Sequence, residues 1–127
     1  MKEIAVIENR IEAIDRRIGE LQQERENLIN HLPLIENALL AVERMGIDRQ
    51  SLLGRSQKAR FAFARTAVAA YLLQNNFTNG QIAFILRRDP ASVSNYKTRY
   101  DKAMREPRFY GDLVTFLDEF NKQLTIQ

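Results

Sequence analysis

The chain has 127 residues, 45% hydrophobic and 28% charged, with five glycines, three prolines and no cysteine, a composition that fits one small all-α domain plus an extension. Disulfides and thiolate metal sites are excluded; no apolar run is long enough to span a bilayer, the N-terminus has no signal-peptide core, and a cytoplasmic protein with no membrane partner is expected. The net charge of +3 hides a basic middle: residues 47–106 hold eleven Lys/Arg against four Asp/Glu, a balance of +7, between flanks of −3 (1–46, six against nine) and −1 (107–127, two against three).

From Ile4 onward apolar residues recur in alternating steps of three and four. Ile4, Ile11, Ile18, Arg25, Leu32 and Leu39 take heptad position a, and Ile7, Ile14, Leu21, Leu28, Ile35 and Val42 take d. A sustained 3.5-residue repeat predicts a coiled coil, with residues 1–46 as an oligomerisation segment and residues 4–42 as the seam of a homodimer. Pro33 removes a backbone donor, so the helix is expected to break near His31–Leu32. A shorter helix from Pro33 to Met45 would end at Gly46 as a left-handed cap, with Ile47 folding back beyond it. That second helix is too short to cover the Ile stripe in a hairpin, which favours association between chains. Arg25 at an a position suits a dimer, whose open flank lets its stem reach water, whereas Ile at both a and d leans toward higher states. Parallel pairing would set Arg10 beside Asp15 but Glu3 beside Glu8, so strand direction stays open. The alternative is a long amphipathic helix packed on the rest of the chain.

Ile47 to Arg55 reads as a hinge or arm, from which Arg49 or Arg55 could touch a nucleic-acid backbone or groove. Ser56 is expected to cap an alanine-rich helix from about Gln57 to Gln74, in which Phe61, Phe63, Val68, Tyr71, Leu72 and Leu73 supply bulk. Arg49, Arg55, Lys58 and Arg60 surround its start, where a helix N-terminus already favours phosphate.

Residues 77–99 predict two short helices joined by a tight turn. Thr78 and Gln81 form a capping box, with Phe77 stapled against Ile82. Ile82, Ala83, Ile85 and Leu86 give the first helix its apolar face. Asp89 can cap the second helix, and Pro90 suits its first position. Val93, Tyr96, Tyr100 and Met104 would face inward, with Ser92, Asn95, Thr98, Arg99 and Lys102 on the other side. An apolar inner face beneath small polar and basic residues suits a recognition helix in a major groove. Ser92, Ser94 and Asn95 are therefore expected at base edges, with Asn95 suited to adenine. Lys58, Arg88, Lys97, Thr98, Arg99 and Lys102 are expected on phosphates. Residues 47–106 thus read as a helix-turn-helix domain for double-stranded DNA. Beyond Pro107, residues 107–127 form a packing helix from about Asp112 to Leu124, with Leu113, Phe116, Leu117, Phe120 and Leu124 on one face.

Enzyme chemistry has little to stand on. The sole histidine, His31, reads as a solvated helix-end residue, and no phosphate loop, dinucleotide motif or metal cluster appears. No catalytic residue, metal or cofactor is expected. The leading expectation is a dimeric transcriptional regulator that reads duplex DNA. The runner-up is a coiled-coil adaptor of a replication or transcription complex, with weak DNA affinity.

The residues Phe77-Thr78, Gln81-Ile82-Ala83, Ile85-Leu86 and Pro90 to Tyr96 resemble the helix-turn-helix of LuxR-type regulators and of the fourth region of sigma factors. A looser likeness over about Lys58 to Leu124 is to the DNA-binding domain of the replication initiator DnaA. It rests on Ala64-Arg65, Tyr71-Leu72-Leu73, Gln81-Ile82-Ala83, Arg88-Asp89, Ser92-Val93 and Pro107-Arg108-Phe109, with Pro90-Ala91 standing where DnaA-type domains carry His-Thr. Either resemblance implies a trihelical DNA-binding domain.

Overall fold

The computed structural model describes residues 2–126, and the side chains of all of these but Leu28. The fold is all-α, with the described residues forming six helices: α1 (Lys2–Arg44), α2 (Arg49–Leu53), α3 (Ala59–Gln74), α4 (Asn79–Leu86), α5 (Pro90–Arg105) and α6 (Gly111–Leu124). The chain divides into two compact units, Met1–Pro33 and Leu34–Gln127.

The first unit consists of α1 up to Pro33. Its stripe of Ile4, Ile7, Ile11, Ile14, Ile18 and Leu21 is exposed, each residue by 47–58%. Side-chain contacts here are local, such as Arg17 Nη1 to Glu20 Oε2 at 3.3 Å and Gln23 Nε2 to Asn27 Oδ1 at 3.2 Å.

The expected break near Pro33 does not occur. Proline lies inside α1, and His31 is half-buried within the helix instead of standing at its end. The physical reason lies in the residue before each proline. A helix restarting at Pro33 would take Leu32 as its N-cap, which has no side-chain acceptor for the orphan N–H groups. At Pro90 the preceding residue is Asp89, which does cap, and there a new helix begins.

The end of α1 belongs to the second unit. Ala38, Leu39, Ala41 and Val42 are 0–8% exposed and join its core. The expected seam over residues 4–42 is therefore cut short, because Leu39 and Val42 are already covered by their own chain. The second unit starts at Leu34, not at residue 47. α1 closes as the sequence predicts: Gly46 takes φ +85°, its N–H donates to Glu43 O, and the Ile47 N–H donates to Val42 O. Ile47, 1% exposed, then turns into the core.

Residues read as a hinge or arm instead form α2. Asp48 caps it by accepting from the Ser51 N–H at 2.7 Å, and Leu52 is fully buried. Arg49 is held by two carboxylates, Glu43 at 2.6 Å and Glu36 at 2.9 Å. α3 starts two residues later than expected. Lys58 is its N-cap, without a side-chain cap, and Ser56 Oγ accepts from the Lys58 N–H at 3.4 Å. Ala64, Ala67, Ala69 and Ala70 are buried, so α3 can come close to its neighbours, and it packs against α2, α4, α5 and α6. α6 packs on α3 and α5, with Phe63 and Phe116 ring centroids 6.1 Å apart and Tyr71 edge-on to Phe120 at 6.3 Å.

Candidate nucleic-acid interface

α3, α4 and α5 pack on one another, and residues 87–89 link α4 to α5. The capping box closes as predicted: Thr78 Oγ1 accepts from the Gln81 N–H at 3.1 Å, and Gln81 Oε1 accepts from the Thr78 N–H at 2.9 Å. Phe77 and Ile82 are both buried beneath it. The turn between the helices is made by Arg87 in the left-handed conformation (φ 55°, ψ 45°), with the Arg88 N–H donating to Ala83 O at 2.8 Å. Asp89 then caps α5 by accepting from the Ser92 N–H at 2.8 Å. Hydrogen bonds from Ser92, first its backbone N–H and then its hydroxyl, hold the Asp89 carboxyl below its ordinary value.

Val93, Tyr96 and Ala103 form the buried face of α5, and Tyr100 is half-buried, its hydroxyl accepting from Gln74 Nε2 at 3.0 Å. Met104, expected to face inward, is 45% exposed. Lys97, Thr98, Arg99 and Lys102 are all exposed along the helix.

The residues expected at base edges do not share one role. Asn95 is exposed and lines a concavity of about 250 Å³ with Gln57, Arg65, Arg88, Ser92 and Arg99. Ser92 is half-buried in the same concavity. Ser94 instead joins α5 to α4, since its hydroxyl donates to Pro90 O at 3.3 Å and accepts from Asn79 Nδ2 at 3.2 Å.

Among the residues expected on phosphates, Arg88 is engaged within the fold. Its guanidinium is part-buried and donates to the carbonyls of Leu53, Arg87 and Gly54, so it secures the segment after α2 and has few donors left. Arg65, with no assigned role in the sequence, is 2% exposed and donates to Leu52 O (2.7 Å), Ser56 O (2.8 Å), Gly54 O (2.9 Å) and Ser51 O (3.1 Å). Burial, and then the neighbouring Arg88 charge, hold its pKa below the usual arginine value. The signal was present: Arg65 lies four residues after Phe61 and three before Val68, a lone charge inside an apolar stripe. Arg49 on Glu36 and Glu43, and Arg60 on the Met45 carbonyl, are likewise occupied within the fold. Arg55, Lys58, Arg87, Lys97, Arg99 and Lys102 remain exposed, and among the described residues none enters an ion pair.

Compared with family models, curated proteins and solved structures, the chain matches none.

Proposed function

We propose that this chain binds double-stranded DNA through α4 and α5 and acts as a dimeric, sequence-specific transcriptional regulator. The observation that carries the reading is the outer surface of α5. Arg99 and Lys102 stand exposed on the same face as Asn95, and Lys97 is exposed on another side, of a helix whose start is capped and which buries Val93, Tyr96 and Ala103. Basic residues with no carboxylate partner attract phosphates, and a neutral amide among them can discriminate a base. The likeness of Phe77–Arg99 to LuxR-type and sigma-factor motifs points the same way. Under this reading Asn95, with Ser92 beside it, reads base edges, while Lys58, Lys97, Thr98, Arg99 and Lys102 hold the backbone. Dimerisation through the first unit would present two such domains to one site.

Selection from random duplexes tests the reading, and two substitutions then separate the roles. Asn95→Ala should weaken the selected site by about 1–3 kcal/mol while leaving affinity for random duplex nearly unchanged. Arg99→Ala or Lys102→Ala should weaken both alike and flatten the slope of log affinity against log salt by roughly 0.9. Binding indifferent to salt, with no selected sequence, would overturn the proposal.

A second reading, a coiled-coil adaptor of a replication or transcription complex, draws on Phe84, which is 87% exposed on α4. An aromatic ring in water on the helix beside α5 suits a protein partner better than a phosphate backbone. A chain that selects no duplex, but whose capture of a partner is lost on Phe84→Ser, would favour it.

A further inference from the structure

We infer that the exposed stripe of the first unit binds a second copy of the chain in the antiparallel sense, with Ile18 of each copy opposite Leu21 of the other and Arg17 beside Glu24. The inference rests on the dimer proposed above and assigns its direction and register. Its ground is charge. Arg10, Asp15, Arg17, Gln22 and Glu24, which would flank the seam, are all exposed, and the surface contact of Arg17 to Glu20 at 3.3 Å is one that a partner's carboxylate can replace.

In a parallel pair, equivalent a positions face each other and each g residue meets the e residue five positions on. Arg25 would then face Arg25 inside the seam, and Glu3 would meet Glu8 on both flanks, against one favourable contact, Arg10 with Asp15, on each flank. In an antiparallel pair, a faces d, g meets g, and e meets e. With Ile18 opposite Leu21, Ile7 lies opposite Leu32 and Arg25 opposite Ile14. The Arg25 stem then covers an apolar side chain while its charge reaches water.

The flanks of this register hold no like-charge pair. Arg17 meets Glu24 twice, Arg10 meets His31, Asp15 meets Gln22 and Glu8 meets Ile29. Sliding one chain by a heptad in one direction, to put Ile14 opposite Ile18, sets Arg10 beside Glu24 twice but brings Arg17 onto Arg17 and Asp15 onto Asp15, so its attractions are offset by two like-charge pairs. A further heptad sets Arg10 on Arg17, Glu3 on Glu24 and Glu8 on Asp15. Hydrophobic burial drives all these alignments, and the charges choose among them. The pairing is two-fold and closes on itself, as a self-complementary interface must.

The chain contains no cysteine, so single-cysteine variants report on the seam without background. Full-length Ile18→Cys and Leu21→Cys would be prepared separately and mixed, exchanged under reducing conditions, and then oxidised. The antiparallel register predicts a disulfide-linked dimer in the mixture and little in either variant alone. Self-linking of each variant alone would establish a parallel pair and overturn the inference. A dimer that links in no arm would overturn the register. Sedimentation separates these from the underlying reading, since a monomeric full-length chain at high concentration would sink the dimer itself. As a second readout, Arg17→Glu should weaken the dimer and the added Glu24→Arg should restore it. In the parallel arrangement Arg17 meets Gln22 and Glu24 meets Ile29, so the second change would not rescue the first.

Discussion

Asn79 and Ser94 join α4 to α5: Asn79 Nδ2 donates to Ser94 Oγ at 3.2 Å, and that hydroxyl donates onward to Pro90 O. A serine suited by type to a base edge is thereby committed to the angle between α4 and α5. Ser94→Ala should cost about 0.5–1.5 kcal/mol in denaturant unfolding. It should lower affinity for selected and random duplexes in parallel. A loss confined to the selected site would return Ser94 to the base-reading set.

Arg65 should be among the least replaceable residues. Its four carbonyl acceptors lie between Ser51 and Ser56, and truncation would leave several of them buried without a donor. Arg65→Met, which keeps much of the stem volume, should destabilise the fold by about 2–4 kcal/mol in urea unfolding. A change within about 0.5 kcal/mol would show that the segment after α2 does not depend on it.

Arg87 combines an unfavourable backbone with an exposed charge. A left-handed conformation costs an L-residue on the order of 1 kcal/mol, which glycine avoids. Arg87→Gly should therefore raise stability by roughly 0.5–1 kcal/mol. The same change should weaken duplex binding and reduce its salt dependence, because it removes a cation beside the start of α5. Thermal unfolding and a salt titration would show the two effects with opposite sign; equal affinity at every salt concentration would remove Arg87 from the interface.

Acid should weaken the two aspartate caps. Asp89, bonded by Ser92, and Asp48, bonded by the Ser51 side chain and then its backbone N–H, both have pKa values below the ordinary 3.8. A depressed folded-state value means the contribution is fully present above the ordinary carboxylate range and is lost as pH falls through the folded-state value. Asp89→Asn keeps a capping acceptor without the titration. Its melting temperature should fall less steeply than that of the parent chain below about pH 4. Parallel curves would show that this cap contributes nothing to acid sensitivity.

Local chemistry was legible where it was self-contained. Thr78 with Gln81, Asp89 with Pro90, and Gly46 with Ile47 each form a motif within a few residues, and each closes as the sequence predicts. The all-α fold followed from the same kind of signal. What stayed hidden depends on distant partners. Pro33 is a local case instead: it carries a rule for breaking a helix, but Leu32 before it offers no cap, and α1 runs on. Arg88 has the residue type of a phosphate contact, but the carbonyls of Leu53 and Gly54 that engage it lie more than thirty residues earlier in the chain. Met104 shares the phase of Val93 and still emerges near the helix end. The heptad phase, unbroken in the sequence, carried no sign that its last turns belong to the core of the second unit.

Arg65 and Arg88 grip the end of α2 and the residues after it through main-chain oxygens, with Gly54 O accepting from both. Such a grip is blind to the letters it holds. Arg55, exposed within this segment, can be exchanged without altering what the guanidinium groups bind. Ser51 and Ser56 are less free, because their side chains bond the Asp48 carboxyl and the Lys58 N–H, and Gly54 is constrained because a Cβ there would sit 2.8 Å from the Gln50 carbonyl oxygen. The loop bordering the concavity beside Asn95 is therefore a place where a new contact can be written at Arg55, on a backbone held through its own carbonyls.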